Sequence, residues 1–131
     1  MGFSVRRRDD ALVIALSGWD RAMNLRGRLV VPLADVSGAR VEERHELETL
    51  IDHRSVGIGT HLGREHPNRR RVGTMLGRGV PGNQFWAVAA GDATRPLLVI
   101  DLVPRRGFRR LVLDVDDPPG MAAALSVPRS P

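Results

Sequence analysis

Apolar and polar positions alternate along much of the chain, and the breaks between alternating runs mark its elements. Residues 3 to 8 and 11 to 17 read as two short strands joined at Asp9-Asp10, with Leu12, Ile14 and Leu16 on one face of the second. The stretch GWDRAMNLRG interrupts them with a glycine at each end. In RLVVPL, Leu29, Val31 and Leu33 then alternate against Arg28, Val30 and Pro32, which suits a strand whose proline lies at an edge or near its end. VSGARVEE, after Ala34-Asp35, is expected to pair with it.

The pattern loosens between residues 42 and 70. EERHELETLIDHR sets Leu47, Leu50, Ile51 and Arg54 at helical spacing and predicts a short amphipathic helix. SVGIGTHLGREHPNRRRVGT, rich in glycine and turn formers, reads as irregular loop around one or two short strands. From residue 72 strands return as VGTMLGR, NQFWAVAA, PLLVIDLV and RRLVLDV. In the last, Leu111, Leu113 and Val115 alternate with Arg110, Val112 and Asp114, the period of a half-buried antiparallel strand. DDPPGMAAAL predicts a closing helix, with Asp116 or Asp117 as cap and a proline in the first turn. Seven or eight short antiparallel strands and one terminal helix suggest a small barrel or sandwich whose open end the helix covers.

The order of these elements adds a resemblance. PLADVSGARV early in the chain and GNQFWAVAAGDATRPLLVIDLVPRRGFRRLVLDVDDPPGMAAAL late in it resemble the bacterial pleckstrin-homology-like (PH-like) domains of unknown function. The resemblance covers about two-thirds of the chain. It implies a mainly β fold, a PH-like antiparallel barrel of about seven strands closed by a C-terminal α-helix, on a scaffold that elsewhere binds phosphoinositides, peptides or proteins. Where lipid-binding members carry a basic loop between their first two strands, this chain has SGWDRAMNLRGR, with Arg21, Arg26 and Arg28 more loosely placed.

Composition narrows the chemistry. The 131 residues fit one domain spanning 1–131, and the absence of cysteine excludes disulfides, thiolate metal sites and cysteine nucleophiles. The net charge is +5, and all 20 basic residues are arginine, a usage that fits a GC-rich bacterial genome and discounts part of the basic signal. Too few aromatic residues are present for a single-strand stacking platform. The apolar run ALVIAL behind Asp9 and Asp10 is too short for the roughly 7–15 residues of a signal-peptide core, and no run approaches the roughly 20 of a membrane span. The expected setting is cytoplasmic, with no integral membrane segment.

Four groups of residues bear on function. Arg69, Arg70 and Arg71, with Arg78 further on, form the candidate anion-binding set, because guanidinium forks match phosphate; a solvated loop is the alternative. PRRGFRR places Arg105, Arg106, Arg109 and Arg110 around a hairpin turn, where arginines also guard strand edges. His45, His53, His61 and His66 lie among six carboxylates, but their spacing matches no metal motif. Trp86, beside Phe85 and therefore on the opposite side of its strand, is either covered by the terminal helix or the candidate partner anchor. Ser17 and Ser37 adjoin glycine without a nucleophile elbow, and GIGTHLG lacks dinucleotide spacing.

No catalytic, cofactor-binding or metal-binding set is assigned, and no cofactor is expected. The expected function is a non-catalytic interaction module, contacting an unknown protein partner or a second copy as a homodimer. Polyanion or nucleic-acid binding through the arginine loops is the alternative.

Overall fold

The computed structural model describes residues 2–18, 27–48, 51–56, 71–77, 83–89, 91, 94–103 and 108–126. Within them the chain forms β1 (Gly2–Arg8), β2 (Ala11–Ser17), β3 (Arg28–Pro32), a 3-10 turn (Leu33–Asp35), β4 (Val36–Glu43) and α1 (Arg44–Glu48). These are followed by β5 (Ile51–Val56), β6 (Arg71–Gly77), β7 (Asn83–Val88), β8 (Pro96–Leu102), β9 (Phe108–Leu113) and α2 (Pro118–Ser126). No helix among the described residues is long and apolar enough to cross a membrane.

The strands make two sheets, one in the order β1-β2-β3 and one in the order β4-β8-β9-β7-β6-β5. The single closed barrel expected from the sequence is therefore replaced by two sheets that do not close on themselves. The mainly β character and the C-terminal helix are as expected. A two-residue turn joins β1 to β2, with Arg8 opposite Ala11. Its first residue, Asp9, takes φ 53°, a left-handed conformation that aspartate tolerates better than most residues.

Two pairings differ from the sequence reading. VSGARVEE does form a strand, but β4 pairs antiparallel with β8 in the larger sheet and not with β3. The turn at Leu33–Asp35 redirects the chain between the sheets, and local alternation carries no information about which of several strands will be the neighbour. In addition, β7 and β9 run parallel, with β9 inserted between β7 and β8, so the sheet is not wholly antiparallel.

Side-chain alternation distributes the core over both faces of the larger sheet. One face meets the smaller sheet and α2, where Leu12, Ile14 and Val31 pack with Phe85, Ile100, Leu111 and Leu125. On the other face Trp86, Val88, Leu97, Val99 and Val112 cluster with Leu47 of α1. Leu111, Val112 and Leu113 are all buried, so β9 is covered on both sides and not half-buried as its alternation suggested. Valine stood at the position expected to face solvent, and valine suits either environment.

The helix expected in residues 42 to 54 is confined to Arg44–Glu48, and strand β5 begins at Ile51. Pairing with β6 overrides a weak helical preference there. The closing helix forms as its capping residues require. Gly120 N donates to Asp117 Oδ1 at 3.2 Å, Met121 N donates to Asp117 O at 3.0 Å, and Pro118 opens the helix. Asp117 is the N-cap, and a proline in the first turn costs no helical hydrogen bond.

Candidate functional site

A cleft of about 600 Å³ opens between the smaller sheet and the terminal helix, within the size range of ligand sites. One wall is Phe3, Ser4 and Val5 of β1. Successive side chains on a strand point to opposite sides, so three consecutive residues line one cleft only when the strand presents its edge to it. β1 is an end strand of its sheet, and no described strand pairs with its outer side. The cleft therefore runs along a strand edge.

The opposite wall is the β9–α2 connection, Asp114 to Asp117, continued by Gly120, Met121 and Ala124. The spacing of Asp117, Gly120, Met121 and Ala124 places them on one flank of the helix. The neighbouring flank, with Pro118, Ala122 and Leu125, is buried. A Cβ at Gly120 would lie 2.1 Å from Asp117 Oδ2, so a larger residue there would require the capping carboxylate to turn.

The three carboxylates of this wall have different duties. Asp114, with its side chain only 6% exposed, accepts from Arg95 Nε at 3.0 Å and Nη2 at 2.6 Å, and its second oxygen accepts from Ala89 N at 3.2 Å. It ties the connection to the segment between β7 and β8. Asp117 is committed to the cap. Asp116 is exposed and no described cation pairs with it, so it supplies the negative charge at the cleft.

A second polar group lies on the far face of the larger sheet. Arg40 bridges Glu42 and Asp101, with 2.5 Å from Nη1 to Asp101 Oδ2, and Arg110 Nε reaches Asp101 Oδ1 at 2.8 Å. Partial burial by itself would raise the Asp101 pKa. Hydrogen bonds from Arg110 and Arg40 outweigh it and hold the carboxyl below its ordinary value. For Arg40, burial acts to lower the pKa, and the bonds to Asp101 and Glu42 raise it instead. This ladder satisfies its own charges and offers little to a ligand.

The structure brings the sequence candidates together only in part. Arg69, Arg70 and Arg78 lie outside the described residues, as do Arg105 and Arg106. Arg71 opens β6 opposite Val88, and its side chain is outside what is described. Arg110 is held by Asp101, while Arg109 has a buried Nε with no hydrogen-bond partner. His45 is exposed, 3.6 Å from Glu43 and 3.7 Å from Glu46. His61 and His66 lie outside the described residues, and no three His, Cys, Asp or Glu among the described residues are grouped to hold a metal.

Trp86 is 0% exposed and donates its indole N–H to Gln84 Oε1 at 3.2 Å. It lies in the cluster with Leu47, on the face away from α2, while Phe85 lies in the cluster that α2 joins. In this arrangement Trp86 is a core residue and presents no surface to a partner. Compared with models of known protein families, with curated proteins and with solved structures, the chain matches none.

The cleft itself was not singled out from the sequence. Its two walls are separate in the sequence, at the strand of residues 3 to 8, which runs from apolar to basic, and at the DDPPG helix start. Only the packing of the terminal helix against β4 and β8, which sets it across the cleft from β1, brings them together.

Proposed function

We propose that the protein is a non-catalytic interaction module that docks an extended, basic protein segment along β1, in the cleft beside α2. The observation that carries this reading is the strand edge of β1 forming one wall of the cleft. An edge strand offers backbone donors and acceptors to a guest strand, and the pockets beside it select alternate side chains of the guest. Here those neighbours are apolar on the helix flank, at Met121 and Ala124, and anionic at Asp116. On a chain of net charge +5 this is a locally acidic wall, and it favours arginine or lysine in the guest.

The PH-like resemblance agrees with the reading only in that such scaffolds elsewhere bind peptides or proteins. The two separate sheets and the parallel β7–β9 pair are departures from that scaffold, and the proposal rests on the cleft.

The test is a titration of isotope-labelled protein with a short peptide alternating arginine and valine, followed by amide NMR. Shifts should gather at Phe3 to Val5 and Met121 to Ala124. Asp116→Lys should weaken binding by about tenfold, since like charges across an interface are unfavourable. Shifts confined to other elements, or binding equal in wild type and Asp116→Lys, would overturn the assignment.

A further inference from the structure

The outward face of the smaller sheet carries a surface that the cleft does not use. Inward positions of β2 and β3, such as Leu12, Ile14 and Val31, are consumed by the core. The outward positions follow from the pairing register. Arg6 lies opposite Val13, which lies opposite Val30, and Ser4 lies opposite Ala15, which lies opposite Arg28. Arg8, opposite Ala11, completes the row on β1.

Two properties set this face apart. Val13, Ala15 and Val30 are absent from both core clusters, and Val30, at 49%, is the most exposed large apolar side chain among the described residues. Arg6, Arg8 and Arg28 are exposed, and no carboxylate pairs with any of them among the described residues. The described outward positions of the three strands hold no acidic residue. Asp9 and Asp10 stand at the hairpin tip and the buried Asp35 follows β3, while Asp20, between β2 and β3, lies outside the described residues.

With strands about 5 Å apart and alternate residues about 7 Å apart, the three arginines frame an aliphatic patch about 10 Å by 14 Å. A charged frame around an apolar centre is the layout of a protein interface. We infer that this face docks a second protein segment, one with aliphatic side chains at its centre and carboxylates around them.

The chemistry separates this partner from the other anions. Nucleic acid would satisfy the arginines through its phosphates, but the patch has no aromatic ring for a base to stack on, and phosphates set against its valines would lose water without a hydrogen-bond partner. A second copy presenting the same face would set arginines against arginines, which is repulsive. Acidic-aliphatic protein satisfies both the frame and the centre.

The surface is distinct from the cleft, although β1 contributes to both: its edge serves one and its outward side chains the other. The inference therefore stands independently of the cleft reading, and opposite guest charges keep the two apart in experiment.

The decisive experiment is fluorescence anisotropy with a labelled short peptide of glutamates interspersed with valine and alanine, alongside a labelled duplex DNA, on the whole chain. Arg6→Glu/Arg28→Glu and Val30→Asp change exposed side chains, and circular dichroism would confirm that the fold is kept. The acidic peptide should bind wild type, and each variant should weaken it by about tenfold or more. Absence of peptide binding to wild type, or binding equal in wild type and both variants, would overturn the inference. So would tighter binding of the duplex that is lost with the arginines but indifferent to Val30→Asp, which would mark a simple polyanion patch.

Discussion

Asp101 is held ionised by two guanidinium groups, and its position makes the stability of the larger sheet sensitive to acid. Because the folded pKa lies below the unfolded one, the carboxylate stabilises the fold fully above the unfolded value of about 3.9. That contribution is lost as pH falls through the lower, folded value. Asp101 and Arg40 are partly exposed, so solvent screening limits the effect to about 1 kcal/mol. Asp101→Asn should lower the urea midpoint at neutral pH by a corresponding amount and flatten the acid limb of a stability-against-pH curve. An acid limb equally steep in the variant would show that other carboxylates dominate.

Trp86 makes the complementary point for burial. Its side chain fills the centre of the cluster on the far face, so Trp86→Ala should cost about 3–5 kcal/mol, or prevent folding. Phenylalanine at the same position keeps most of the volume but leaves Gln84 without the indole donor, and should cost less. Equilibrium denaturation of the two variants measures the difference. A Trp86→Ala protein as stable as wild type would contradict the burial.

The terminal helix illustrates how a local signal can be read correctly while its consequence is missed. DDPPG predicts a capped helix start, and Asp117 and Pro118 fill those roles. The exposed glycine would ordinarily be a target for stabilisation, since alanine gains about 1 kcal/mol in a helix. Here the Cβ would strike the capping carboxylate, so Gly120→Ala alone should give no such gain. Asp117→Ala should cost about 1 kcal/mol by removing the cap. In that background Gly120→Ala should recover its ordinary benefit, and thermal unfolding of the four proteins reads the coupling. Strict additivity would rule out the clash. The same geometry keeps the helix start close against the β9–α2 connection, which forms one wall of the cleft.

Element boundaries failed where two kinds of structure compete for the same apolar residues. Leu47, Leu50 and Ile51 satisfy a helical spacing, yet α1 ends at Glu48 and β5 follows. A stretch this short has little intrinsic preference, and a neighbouring strand decides it. The hairpin at Asp9-Asp10, by contrast, needs only its own turn and its own alternation, and it was legible directly.

At the scale of the whole molecule, β7, β8 and β9 form the centre. They are buried on both faces, between the smaller sheet with α2 on one side and the cluster around Trp86 on the other. Among the described residues, the larger sheet pairs charges in the Arg40–Asp101–Arg110 ladder, and the Arg95–Asp114 pair joins the segments beside it. Both surfaces proposed for partners involve the smaller sheet: the edge of β1 with its acidic cleft, and the outward face with its arginines.

The amino-acid sequence by itself determined what depends on near neighbours along the chain. Strand-length alternation, the two-residue turn, the capped terminal helix and the opposed faces of Phe85 and Trp86 all follow from local geometry. Tertiary structure alone decided which strands pair, that β9 lies parallel to β7, and that the far face of the larger sheet is also buried, with Leu47 of α1 in its cluster. It also decided the cleft, which joins residues 3 to 5 to residues 114 to 124. Alternation specifies which side of a strand is apolar, but partner choice and the meeting of distant segments depend on how all the apolar faces can be buried together.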